Sequence, residues 1–130
     1  MQILFAGAPS ESPAIDALRA PLSFATANIA GRASLLELAA IMARADIAIT
    51  LDTGPLHLAR AMHLPAIIIA PAWSPAVEWL PINNPRARIL KNLTLDEATE
   101  DYIIDEVTVP EVEQAAHDLL AAYPPKSNAS

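Results

Sequence analysis

A chain of 130 residues, 53% of them hydrophobic, has the material for one ordinary core and too little for two. Its 15 acidic residues against 8 basic ones give a formal charge of -7, and Arg32, Arg44, Arg60, Arg86 and Arg88 are scattered, which argues against a nucleic-acid or anionic-lipid surface. With no cysteine, a disulfide framework and a thiolate metal site are both excluded.

Met1-Gln2-Ile3-Leu4-Phe5 lacks the basic leader of a signal peptide, and no run of about 18 apolar residues follows, so the chain reads as soluble and cytoplasmic. Ile3 to Ala6 is a continuous apolar run ended by Gly7, the pattern of a parallel strand buried on both faces. Ser12-Pro13 predicts a cap with proline at the first helical position, and Pro21 closes that helix. Phe24 to Ile29 reads as a short strand, Gly31 as a turn, and Ser34-Leu35-Leu36-Glu37 as a capping box opening a helix whose stripe is Leu35, Leu38, Ala39, Met42 and Ala43. Asp46 to Leu51 is the next buried strand, Pro55 to His63 a short helix and Ala66 to Ala70 a fourth strand.

Strand and helix thus alternate with short connections, which predicts an α/β fold with a doubly wound parallel sheet. Pro71 to Pro85 is a proline-rich irregular loop carrying Trp73 and Trp79, after which Arg88-Ile89-Leu90 returns as a strand. Thr108-Val109-Pro110-Glu111 repeats the capping-box pattern before a helix with Val112, Ala115, Ala116, Leu119 and Leu120 on one face. The expected organisation is one α/β domain over residues 1–123 and a flexible tail over 124–130.

Ligands of open α/β sheets sit beyond the carboxyl ends of the strands, which directs attention to Gly7–Glu11, Asp52–His57 and Ala70–Trp73. In the second, Thr53 can cap the helix and Pro55 can occupy its first turn without losing a hydrogen bond. The backbone amides of Gly54, Leu56 and His57 are then expected to face an anion at the positive end of the helix dipole. Gly54 admits close approach of a diphosphate, and Asp52 suits sugar or ribose hydroxyls, because two anions in contact repel. Capping alone explains the same four residue types, so the local chemistry leaves both readings open.

A longer pattern carries more: Asn28-Ile29-Ala30-Gly31, Ser34-Leu35-Leu36-Glu37-Leu38-Ala39-Ala40, Ala45-Asp46, Asp52-Thr53-Gly54-Pro55-Leu56-His57-Leu58-Ala59 and Leu64-Pro65. In combination it resembles the carboxyl-terminal half of glycosyltransferase family nine, the heptosyltransferases of lipopolysaccharide biosynthesis and their relatives, from about Ile3 to Pro81. The resemblance implies a Rossmann-like half of a two-domain GT-B enzyme. This half binds a nucleotide sugar such as ADP-heptose for inverting transfer, without metal or other cofactor. It aligns Thr53, Gly54 and the following amides, including that of Leu56, with the diphosphate-binding turn and Asp52 with the acid beside the donor sugar. His57 falls on the histidine of the D-[ST]-G-x-x-H pattern, and Glu11 on the acid that holds the ribose hydroxyls.

Two departures qualify the match. Ala70-Pro71-Ala72 stands where the family has Gly-Pro-Thr, which leaves the donor open. The family's amino-terminal domain, with its general base, lies outside this sequence, so the chain is expected to bind donor with little or no turnover alone. An amino-terminal partner half or self-association is expected to cover the edge near Ile3–Phe5. Residence at the inner face of the bacterial inner membrane is compatible with that family role. The rival readings are a non-catalytic interaction module of the same fold and half of a nucleotide-sugar epimerase.

Outside the resemblance the plain readings lead. His63 and His117 read as cap or surface residues rather than metal ligands. Trp79 reads as a cover for the core, and the acidic run Asp96–Glu106 as a solvated face. Ser74 lacks the G-x-S-x-G elbow of a hydrolase.

Overall fold

The computed structural model describes residues 2–71, 80–91 and 107–126; Trp73, Ser74, Trp79 and the run Asp96–Glu106 lie outside them. The backbone divides into two compact units, Met1–Ala40 and Ile41–Ser130.

In the first unit, β1 (Ile3–Phe5) pairs in parallel with β2 (Thr26–Asn28), with Ile3 opposite Thr26 and Phe5 opposite Asn28. Between them a 3-10 turn over Pro9–Glu11 runs straight into α1 (Ser12–Arg19). Ser12 is therefore not the cap that Ser12-Pro13 predicts. The Glu11 carboxylate accepts the Ala8 N–H at 2.6 Å, and Pro9 presets the backbone, so the turn nucleates one step earlier. Gly31, at φ 67°, packs its α-carbon against Pro9, where an added Cβ would stand 2.7 Å from the proline ring. Only glycine meets both demands without strain.

The helix α2 (Leu35–Arg44) opens with the capping box read from sequence: Ser34 N–H and Oγ donate to Glu37 Oε2 at 2.8 and 2.7 Å, and the Glu37 N–H donates back to Ser34 Oγ at 3.3 Å. These bonds hold the Glu37 carboxyl below its ordinary range, the Ser34 N–H first and its hydroxyl second. Glu111 is likewise lowered, by the Thr108 hydroxyl first and the Thr108 N–H second, at the start of α4 (Val109–Ala122). A depressed folded-state value means that both caps contribute fully above the unfolded carboxyl range and lose their contribution as pH falls through the folded values. The melting temperature should thus drop on acidification below about pH 4.5, and Glu37→Gln with Glu111→Gln should flatten that drop in circular-dichroism melts.

In the second unit β3 (Ala48–Leu51), β4 (Ala66–Ile69) and β5 (Ala87–Leu90) form a three-stranded parallel sheet in that order. Ala48 lies opposite Ala66, and Ala66 opposite Ala87. The central strand β4 is buried on both faces, as its Ala-Ile-Ile-Ile run requires. Ala66, Ile68 and Ala70 join Leu56, Ala59, Leu64 and Leu80, the first two of which belong to α3 (Gly54–Ala61). Ile67 points the other way, to Ala115 and Leu119 of α4, with Ile47, Leu90, Val112 and Tyr123 around them. Helices on both faces of a parallel sheet are the doubly wound arrangement that the alternation predicts.

Two of the expected fully buried strands are not. Leu4 of β1 is 44% exposed, and Ile49 and Leu51 of β3 are 58% and 46% exposed. Both strands alternate instead, because in an apolar run the face left without a packing helix stays accessible whatever its composition.

The end of α3 is a Schellman motif: His63 N–H donates to Arg60 O at 3.1 Å and Leu64 N–H to Ala59 O at 3.0 Å, with Leu64 and Ala59 in one core cluster. His63 occupies the left-handed position at φ 53°, a site that favours glycine, in line with its reading as a cap. Replacing His63 by glycine should stabilise the chain by about 0.5–1 kcal/mol, seen as a rise of a few degrees in Tm.

The carboxyl-terminal segment is tied down at Lys126. The Lys126 N–H donates to Asp46 Oδ1 at 2.8 Å, and its Nζ donates to the Ala43 and Ala45 carbonyls at 2.6 and 3.2 Å. A cation on the last carbonyls of α2 complements the negative end of that helix. Among the described residues, no helix is long and apolar enough to cross a membrane.

Candidate functional site

The turn from β3 into α3 brings together Asp52, Thr53, Gly54, Leu56 and His57, while Glu11 belongs to the other compact unit. Thr53 is the N-cap, in extended conformation at φ -144° and ψ -178°, but its side chain makes no capping bond. The backbone closes the turn instead: Thr53 N–H donates to Leu51 O at 2.9 Å, and Leu56 N–H donates to Thr53 O at 3.0 Å.

The second of these bonds corrects the expectation of a free Leu56 amide. That N–H is already used, and the Leu56 side chain, 1% exposed, is pinned in the core beside Ile68 and Ala70. Leu56 fixes where the turn sits rather than facing a ligand. Gly54 and Pro55 stand exposed at the head of the helix, where first-turn N–H groups lack intrahelical acceptors and proline forfeits nothing. His57 is exposed one residue past Leu56, and Asp52 is half-buried at the strand end; neither is without a partner.

Gly54 is set apart by the space around it. No heavy atom would lie within 4 Å of an added Cβ, and its φ lies outside the left-handed region. Neither packing nor backbone conformation asks for glycine here. What its missing side chain leaves is an open approach to the backbone at the positive end of α3.

Glu11 lies on the short turn after β1, exposed, with Oε2 on the Ala8 N–H. His117 is exposed on α4, and no group of three His, Cys, Asp or Glu residues among those described could hold a metal ion. No described buried side-chain polar atom is left without a hydrogen bond, so the interior itself points to no second ligand. Asn28 enters the sequence reading only as part of the family pattern, without a role of its own. Its side chain joins the end of β2 to the start of α1, and the turn-forming Ala30-Gly31 just after it was the available signal.

The first 100 residues match the family model of glycosyltransferase family 9 (heptosyltransferase). The chain belongs to glycosyltransferase family 9. Among its curated family-9 relatives, the lipopolysaccharide core heptosyltransferase OpsX of Haemophilus influenzae is 29% identical over 69 residues, which is 52% of this chain and 20% of that protein. The glycosyltransferase family 9 structure from Veillonella parvula superposes with a TM-score of 0.78 at 23% identity, over 92% of this chain and 36% of that one. The ADP-heptose lipopolysaccharide heptosyltransferase II of E. coli gives 0.77 at 23% identity, over 93% of this chain and 37% of its own. The chain thus spans well under half the length of these family-9 proteins, and its parallel α/β architecture is theirs.

Proposed function

We propose that this chain is the nucleotide-sugar-binding part of a family-9 glycosyltransferase of heptosyltransferase type, and that the turn Asp52–His57 receives the donor diphosphate. The observation that carries the reading is the open approach at Gly54, at the head of a helix whose first two turns are anchored by the buried Leu56 and Ala59. A glycine that neither strain nor packing requires, placed beyond the carboxyl end of a parallel strand, is where a diphosphate can reach the backbone. Asp52 beside it accepts from hydroxyls of the donor sugar, and His57 supplies a side-chain donor next to the phosphates.

In the transfer itself, an acceptor hydroxyl attacks the anomeric carbon as the bond from that carbon to the diphosphate oxygen breaks, inverting the centre. The hydroxyl proton passes to a base on a partner domain, and the charge that develops on the departing diphosphate falls on the α3 terminus. The step needs no metal in this reading. The partner half also brings the acceptor, and the whole assembly works on the cytoplasmic side.

Calorimetric titration of the full chain with ADP, UDP, GDP and their sugars tests the donor site. One nucleotide series should bind, and Asp52→Ala should weaken the sugar nucleotide more than the bare diphosphate. No binding by any of the three series would end the proposal.

A further inference from the structure

The turn Asp52–His57 holds no lysine or arginine, although it is read as receiving a multiply charged anion on a chain of formal charge -7. The sheet beside it supplies one. Leu56, in the first turn of α3, is buried in one cluster with Ala66, Ile68 and Ala70 of the β4 segment, and Ala87 and Ile89 of β5 pack against that cluster. Leu90 belongs to the opposite face, under α4. The odd-numbered residues of β5 thus lie on the α3 side, and Lys91 comes next in that alternation. The ladder holds to this point, since the Ala70 N–H donates to Leu90 O at 3.0 Å.

The register of Leu51 with Ile69 and of Ile69 with Leu90 puts Asp52, Ala70 and Lys91 next in one row along the carboxyl edge of the sheet. Adjacent strands are about 4.8 Å apart, so Lys91 stands one strand beyond the Ala70 that shares a cluster with Leu56. It is half-buried and, like Asp52, not without a partner. All of these residues belong to the second compact unit.

The other basic residues of that unit are placed elsewhere. Arg44 ends α2, and Arg60 lies in the last turn of α3, at the far end from Gly54. Arg86 stacks on Tyr123, Arg88 sets its Nη1 on the Pro85 and Ala87 carbonyls, and Lys126 sits on the last carbonyls of α2. Lys91 is the basic residue that follows the carboxyl end of a strand of this sheet, where ligands of parallel α/β folds are held.

We infer that Lys91 is a donor-binding residue, meeting the diphosphate from the β5 side while the head of α3 meets it from the β3 side; the inference rests on the donor-binding reading above. An ammonium is a compact charge on a flexible four-carbon stem, suited to reach past one strand, and its bonds to phosphate are of the stronger, charge-assisted kind. Its place in one row with Asp52 also offsets that carboxylate's repulsion of an approaching anion.

The test titrates the tightest binder among ADP, UDP and GDP into the full chain and into Lys91→Gln, Lys91→Arg, Arg60→Gln and Gly54→Val, at low and at physiological salt. Lys91→Gln should weaken binding by about tenfold, the scale of a hydrogen bond to a charged group, and leave the affinity less sensitive to salt. Lys91→Arg keeps the charge and should restore most of the loss. Arg60→Gln removes the same charge at the far end of α3 and should leave the affinity where it is. Lys91→Met, which keeps an apolar stem, serves if Lys91→Gln melts too low to titrate. Absence of all nucleotide binding would remove the donor-binding reading and this inference with it. Binding that Gly54→Val weakens but that survives intact in Lys91→Gln or Lys91→Met would overturn this inference alone. Equal losses in Lys91→Gln and Arg60→Gln, or a loss that Lys91→Arg shares in full, would do the same.

Discussion

Gly54→Val should leave the melting curve of the chain nearly where it is and weaken nucleoside diphosphate binding by about tenfold or more. The first half follows from the empty volume at this position. With nothing within 4 Å of the new Cβ and no left-handed backbone to strain, the added side chain meets only solvent, and valine in a helix is no worse than glycine. A change within about 0.5 kcal/mol is expected. The second half follows from what the new side chain would occupy. It would stand over the head of α3, holding a diphosphate away from the Gly54 N–H, and the charge-assisted hydrogen bond so lost costs about 1.5–3 kcal/mol. The loss of that one bond accounts for the tenfold. Gly31→Ala should show the opposite pattern, a lowered Tm, because its φ of 67° and its contact with Pro9 make that glycine a folding requirement. Calorimetry beside thermal melts separates the two glycines. Undiminished binding by Gly54→Val would remove the diphosphate from this turn.

The parts of this architecture that were legible in the sequence are those decided within a few residues. Ser34 with Glu37 and Thr108 with Glu111 close their capping boxes over three residues, so residue identity and spacing suffice. The run Ala66–Ile69 is a buried central strand because β-branched residues on both faces have no better place in a parallel sheet. The same logic misjudged β1 and β3. A strand's composition does not say which helices will reach it, and Leu4, Ile49 and Leu51 lie on faces that stay open. Contacts across long separations were also out of reach: nothing near Lys126 announces Asp46, eighty positions away, as its partner. At the candidate site, the turn's place after β3 was readable, but the commitment of the Leu56 amide to Thr53 was not. It depends on Thr53 capping through its backbone rather than its hydroxyl, a choice that identical residues leave open. Family membership came from the combined pattern around the turn, and the turn by itself would have supported a plain cap equally well.

Leu119→Ala should be the most damaging of the simple core truncations on the α4 side of the sheet. Leu119 is 0% exposed and meets Ile67, also 0% exposed, at the centre of the smaller cluster, where Ala115 is the third buried member. Removing a fully buried leucine side chain costs about 2–5 kcal/mol, the upper end applying where neighbours cannot collapse into the gap. Here Ile67 is held in register between β3 and β5, opposite Ile49 and Arg88, so relaxation has to come from α4. The helix is tethered at one end by the Thr108–Glu111 cap, while Arg86 stacks at 4.2 Å over the Tyr123 ring just past the other. Neither tether lets it settle inward freely. Against a total stability of about 5–15 kcal/mol, such a loss is a large fraction of the whole, and urea titration should show a midpoint shift without a change in slope. Leu36→Ala provides the contrast, since that leucine is 82% exposed and should shift the midpoint hardly at all. Equal effects of the two substitutions would mean that the face of the sheet under α4 is not where this half of the fold is held together.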